Sequence, residues 1–347
     1  MSPQADVDGR ELALRYHRDV VGPLLRARWP RMPYAAALLG PGSEVLGLDD
    51  AMSRDHDWGP RLTLMVDAGD VGDVDDYLEE VLPQTFSGLQ TRFATTSDPR
   101  TRHRVTVDTA TDLAAARLGF APTHGLTVAQ WLSLTGQSVL ELTAGPVFRD
   151  PTGQITEIRR RLGWYPHDLW RYVVAADWAR IGQELPLLGR AGARGDDVGS
   201  RVIAGRLARA ALHLGYLLER RWPPYPKWLG SQFALLPRAS AALPALAVAL
   251  GSAHWQQRQD ALGAALTQLL RVQGDVGLGG GGEAVEPFHD RPFRGVRADV
   301  VPTLLAGITD PVVRRLPVGV GSVEQCVDNV DVLSSPRRRL AVMADLG

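Results

Sequence analysis

Lysine is almost missing from this chain. Lys227 is the only one among 347 residues, so all but one of the 38 basic side chains are arginine, and asparagine too is down to a single residue, Asn329. Joint depletion of this kind marks a genome that disfavours AT-rich codons and uses arginine wherever a guanidinium will serve. A lysine that persists is then informative, because arginine's planar fork cannot imitate a compact ammonium in a tight phosphate site. Lys227, in the aromatic setting Tyr225-Pro226-Lys227-Trp228, is therefore a candidate triphosphate ligand; the plainer reading is a lone lysine in a surface loop. Cysteine is also single, Cys326, which excludes an internal disulfide. No apolar run has the length of a signal peptide or a membrane span, so no membrane partner is expected and the cytosol is the simplest compartment. Nor does either charge dominate. With 38 basic against 39 acidic residues the net charge is −1, which leaves no electrostatic footprint for DNA or RNA and favours small substrates.

What is present is an ordinary apolar share, 45%, with 22% charged residues, in a chain long enough for two domains. The most informative stretch runs from Leu38 to Val66. An apolar segment, Tyr34 to Leu39, meets Gly40-Pro41-Gly42-Ser43, a turn whose bare backbone can approach a phosphate and offer N–H groups to it. After a gap of eleven residues stand Asp55 and Asp57, spaced i, i+2 ahead of the extended run Arg61-Leu-Thr-Leu-Met-Val66. On a strand that spacing puts both carboxylates on one face. Mg²⁺ is commonly held by one or two carboxylates plus substrate phosphates, so the pair beside a phosphate-cradling turn reads as a metal-nucleotide site.

Gly42-Ser43, the gap of eleven and Asp55-His56-Asp57 resemble the signature of the polymerase-beta-like nucleotidyltransferase superfamily. The longer wording, YAAALLGPGSEVLG, SRDHDWGP, PPYPKWLG, RPF and GVGSVEQ, resembles an uncharacterised bacterial family within it, domain of unknown function 4037. The resemblance implies that Gly42 and Ser43 hold a nucleoside triphosphate and that Asp55 and Asp57 bind metal, with Asp108 as a third carboxylate on a neighbouring strand. Two features depart from the pattern. The residue between the aspartates is usually apolar but here is His56, a satisfied histidine more than a ligand or base; and Trp58-Gly59-Pro60 interrupts the strand after the pair, so the aspartates could sit on a bulge or lead-in loop.

In chain order, residues 8–28 carry a helical apolar stripe with Asp8 as N-cap and a kink at Pro23, and residues 70–82 a second amphipathic helix. Residues 102–109 alternate like a strand, with Asp108 on the face opposite Val105 and Val107. Further helices are expected over 111–119 and 127–143. Residues 146–155 read as a hairpin around Asp150-Pro-Thr-Gly153. Beyond Thr156 the text is helical, with segments over 164–185, 198–220, 244–254 and 256–272, a glycine-rich polar connection over 189–197, and a mobile glycine loop over 277–282. Arg291-Pro-Phe-Arg294 and the polar run 319–332 read as solvated faces, with contact to a base or acceptor the sharper option. The fold class expected is α+β: a nucleotidyltransferase-like mixed sheet with flanking helices over 1–155, followed by an all-α domain over 156–347.

The expected function is a Mg²⁺-dependent transfer of a nucleoside monophosphate, AMP from ATP as the first choice, to a small molecule or a protein. Asp108, Asp197 or Glu184 would serve as general base. Two other readings compete with it. One is a catalytically silent nucleotide sensor or partner-binding protein on the same fold, and the other a nucleic-acid nucleotidyltransferase with a basic groove hidden by the balanced net charge.

Overall fold

Asp8 caps the first helix, accepting from Arg10 N–H at 2.8 Å. The structure, a computed structural model, describes residues 8–50, 52–54, 57–96 and 98–344. Its contacts divide the chain into two units, Met1–Gly125 with Ser138–Gly163, and Leu126–Gln137 with Trp164–Gly347.

In the first unit, α1 (Gly9–Tyr16) runs through a π-helical turn, His17–Val21, into α2 (Gly22–Arg28). The widened turn lies just before Pro23, which has no N–H to reach back with. Next come β1 (Ala35–Ala37), α3 (Ser43–Leu46), β2 (Leu62–Met65) and α4 (Val71–Val81). Two small hairpins follow, β3 (Thr85–Phe86) with β4 (Leu89–Gln90), and β5 (Arg92–Thr95) with β6 (Asp98–His103). β7 (Val105–Asp108) and α5 (Ala110–Leu118) follow these. The main sheet has the order β7-β2-β1-β8, where β8 is Val147–Arg149. β1 is antiparallel to β2 and β8, whereas β2 and β7 are parallel. β2 is buried at every position, as an apolar run without alternation should be. Tyr16, Val21 and Leu25 from the first helices, and Val74 and Leu78 from α4, form one core with Ala36, Leu62, Leu64 and Val105 of the sheet.

The hairpin expected over 146–155 does not form. Only its first arm is a strand, which pairs with β1; after the turn Gly153 takes a left-handed φ of 71° and starts α8 (Gln154–Arg161). Asp150 Oδ2 accepts from both Thr156 N–H, at 2.9 Å, and Thr156 Oγ1–H, at 2.7 Å, which fixes that start. Ile155, Ile158 and Leu162 recur at helical spacing and are buried.

The second unit contains α6 (Val128–Ser133) and the start of α7 (Gly136–Thr143), then α9 (His167–Ala193), α10 (Asp197–Leu218), α11 (Leu229–Phe233), α12 (Leu243–Gly251) and α13 (Trp255–Asp275). A short ribbon of β9 (Val285–Pro287) and β10 (Arg294–Val296) precedes α14 (Val300–Ala306), α15 (Pro311–Arg314), α16 (Val323–Cys326), α17 (Val330–Leu333) and α18 (Pro336–Met343). The polar connection expected from Gly189 is instead helix as far as Ala193. Its glycines are packing positions: a Cβ on Gly189 would lie 2.6 Å from the Phe293 ring, and one on Gly192 2.3 Å from Trp255. The glycine loop 277–282 is tied down as well, since Gln273 donates to Gly279 O at 2.8 Å and Arg297 to Gly281 O at 2.7 Å. Among the described residues no helix is long and apolar enough to cross a membrane. The fold is α+β, a small mixed sheet with flanking helices and a helical C-terminal region.

Candidate functional site

The antiparallel pairing of β1 and β2 decides which residues meet. Ala37 lies opposite Thr63, so the turn leaving β1 and the loop entering β2 share one end of the sheet. Gly40 and Gly42 adopt φ of 97° and 142° in that turn, a region L side chains avoid. Ser43 is buried and opens α3. Arg10 fixes α3 by donating to Glu44 O at 3.2 Å and Val45 O at 2.8 Å.

Asp57 reaches the same end, but not on a strand. Its φ is 57°, left-handed for a non-glycine residue, and β2 begins only at Leu62. Gly59-Pro60 breaks the extended run, so the shared face expected for an i, i+2 strand pair does not exist at Asp57. Its Oδ1 accepts from Thr96 N–H at 2.7 Å, which holds the carboxyl at the head of the sheet. Asp55 and His56 lie outside the described residues.

Asp108 stands elsewhere. In the parallel pair β2/β7 it lies opposite Met65, while Val105 lies opposite Leu62. Three residues of strand, about 10 Å, therefore separate it from the head of β2, and Asp57 precedes that head. Asp108 Oδ1 instead accepts from Thr109 N–H at 2.8 Å at the start of α5. The structure does not bring Asp108 and Asp57 together. Among the described residues, which do not include Asp55, no three acids, histidines or cysteines are grouped as a metal centre.

Three side chains to which the sequence reading gives no role are central here. Glu44 is 4% exposed and folds over the turn, so that a Cβ on Gly42 would lie 2.5 Å from each of its carboxylate oxygens. Arg61 Nη1 is 2.6 Å from Glu44 Oε1 and 3.5 Å from Asp57 O. Burial holds the Glu44 carboxyl above its ordinary range, while Arg61 pulls it down and the nearby acids Asp49 and Asp57 push it up. Arg117, on α5, completes the set with Glu141 at 3.5 Å. A signal for Arg61 is at hand, since it directly follows the motif SRDHDWGP; Glu44 and Arg117 are visible only from the fold.

Comparison with known proteins matches residues 131–229 to the family described as Domain of unknown function (DUF4037). The match covers less than a third of the residues and excludes Gly42, Ser43, Asp55, Asp57 and Asp108. No curated protein matches. A solved structure, a nucleotidyltransferase-like protein from Exiguobacterium sibiricum 255-15, is similar over 76% of each chain at 12% identity with a TM-score of 0.35.

The matched segment holds Lys227, Glu184 and Asp197, also singled out in the sequence. Lys227 is exposed in the short turn Pro226–Trp228 and places its ammonium 4.4 Å from the centre of the Trp228 ring, a cation–π contact. Glu184 is paired with Arg206 at 2.7 Å and Arg180 at 3.5 Å. Asp197, in the first turn of α10, is paired with Arg201 at 2.7 Å and Arg258 at 2.5 Å. Hydrogen bonds from Arg201 and then Arg258 hold its carboxyl below the ordinary range, the wrong direction for a general base. A histidine that the sequence reading passed over lies deeper. His213 Nδ1 is 2.6 Å from Asp177 Oδ2, and Nε2 is 3.8 Å from Glu324 Oε2.

Proposed function

We propose that the first unit binds a nucleoside triphosphate with Mg²⁺ at the β1/β2 end of its sheet and transfers the nucleoside monophosphate, AMP from ATP as the first choice, to a small-molecule or protein acceptor. The observation that carries this reading is the meeting of a glycine turn with two positive φ values and the Asp57 carboxyl at one sheet end. Glycine at 40 leaves backbone open to a phosphate, Gly42 does the same once the Glu44 carboxyl over it moves aside, and Asp57 contributes one hard oxygen. Asp55 is assigned as the second. With substrate phosphates filling the other positions, Mg²⁺ requires no more than one or two protein carboxylates. When bound, Mg²⁺ supplies charge neutralisation at the reacting phosphate. The chain's own part is to orient the triphosphate and to exclude competing geometry.

Titration of each nucleoside triphosphate, with and without Mg²⁺, into wild type and Asp57→Ala tests the reading. The expected result is metal-dependent binding of one nucleotide that weakens at least tenfold in the variant. Absence of binding by any nucleotide sinks it.

A second reading has its own observation. Asp108 lies at the far end of the β2/β7 pair, which leaves the first unit one carboxylate short of a full site and suits a sensor that binds nucleotide without turnover. Nucleotide binding without release of pyrophosphate, across a panel of acceptors, favours that reading.

A further inference from the structure

Two guanidiniums converge on the turn after β1. A Cβ on Gly40 would lie 3.1 Å from Nη2 of Arg117 and 3.9 Å from Nη2 of Arg61. The separation of the two nitrogens is therefore at most 3.1 plus 3.9 Å, about 7 Å. N–H···O bonds span about 2.7–3.2 Å, so the oxygens of one phosphate group can bridge such a pair. Each guanidinium uses its other terminal nitrogen on a carboxylate, Arg61 on Glu44 at 2.6 Å and Arg117 on Glu141 at 3.5 Å. Like charges held this close repel, and a polyanion between them relieves the repulsion.

The carboxylates are not equivalent. Glu44 is almost fully buried, with its oxygens packed over Gly42. Burial disfavours its charged form, so the ion pair with Arg61 is one that a better-solvated, multivalent anion can replace. Arginine's fork suits phosphate oxygens, and the missing Cβ at Gly40, where φ is 97°, leaves room for one beside the backbone.

We infer that Arg61 and Arg117 are the polyphosphate-binding cations of this site, and that Glu44 is an internal competitor occupying Arg61 until a phosphate group takes its place. This rests on the nucleotide reading above and extends it to the cations and to the group they exchange.

Calorimetric titration of inorganic tripolyphosphate, without metal, into the full chain provides the test. Wild type is expected to bind, Arg61→Gln and Arg117→Gln to bind at least tenfold more weakly, and Glu44→Gln several-fold more tightly. Arg61→Lys and Arg117→Lys keep the charge but lose the fork; intermediate affinities are expected, and they report on the pair if a glutamine variant fails to fold by circular dichroism. The inference is overturned if wild type does not bind, if the arginine variants bind like wild type, or if folded Glu44→Gln binds no better. The probe lacks a base and the titration lacks metal. A failure here therefore leaves Mg²⁺-dependent nucleotide binding and its loss in Asp57→Ala intact, whereas tripolyphosphate binding without any nucleotide binding would overturn the nucleotide reading alone.

Discussion

Gly42 shows what a single hydrogen in place of a methyl does at this site. Its φ of 142° is costly for any L residue, and an added Cβ would sit 2.5 Å from both oxygens of Glu44. The two costs are separable. Gly42→Ala is expected to destabilise the chain by about 1–3 kcal/mol, read from urea midpoints. Removing the obstructing carboxylate in Gly42→Ala/Glu44→Ala should return the steric part and leave the backbone part, so the double variant falls short of the sum of the single effects. Strict additivity would mean that Glu44 does not lie over the turn. Gly42 itself was legible in the sequence, because a glycine turn after an apolar strand has a defined backbone need. Glu44 was not, since nothing in the letters Gly-Ser-Glu says that the acid turns back over the glycine instead of facing solvent. Asp108 misled for a related reason: strand alternation gives a residue's face but not its height along the sheet, and only the parallel register sets that height.

At the scale of elements, α9, α10 and α16 are joined through His213. Asp177 on α9 is 2% exposed, with Oδ2 2.6 Å from the imidazole, and Glu324 on α16, which accepts from Gly136 N–H at 3.0 Å, stands on the other side. Burial alone would lower this histidine, but Asp177, with Glu324 behind it, outweighs that and pushes it up to about 10. The folded value lies above the ordinary 6.5, so the folded state holds this proton more tightly than the unfolded chain. The resulting stabilisation is complete below about pH 6.5 and is lost as pH rises through about 10. Stability measured from pH 6 to 10 should fall, and His213→Gln should lose that slope while lowering stability at neutral pH by about 3–5 kcal/mol, because Asp177 is left buried without its partner. A slope that survives in the variant would assign the effect to other groups. The helices themselves were readable from apolar spacing and from caps such as Asp8 and Asp196. The errors fell where one signal has two uses. Glycines over 189–192 read as a loop but serve to let Trp255 and Phe293 approach a continuous helix, and a proline-glycine turn at 151–153 read as a hairpin but leads into α8.

For the molecule as a whole, α8 shows where the first unit ends. The sequence reading draws its line after residue 155, two residues into this helix, yet Ile158 and Leu162 are buried beyond it. Arg159 donates to Leu142 O at 3.0 Å and Gly145 O at 2.6 Å, carbonyls on the approach to β8. A cut after 155 thus removes two buried apolar side chains, worth about 1.5–3 kcal/mol each, and leaves those carbonyls without their donor. A cut after Gly163 keeps both. Each fragment also carries residues 126–137, which pack in the second unit, with Trp131 against Tyr165 at 5.6 Å and Ser133 O accepting from Arg339 at 3.0 Å; that loss is common to the two and cancels in the comparison. The fragment 1–163 is therefore expected to unfold at a higher urea concentration than 1–155, with the difference traceable to α8 if Ile158→Ala and Arg159→Ala in the longer fragment each recover part of it. Coincident midpoints for the two fragments would mean that α8 adds nothing to the sheet unit and that its stability comes from elsewhere in the chain.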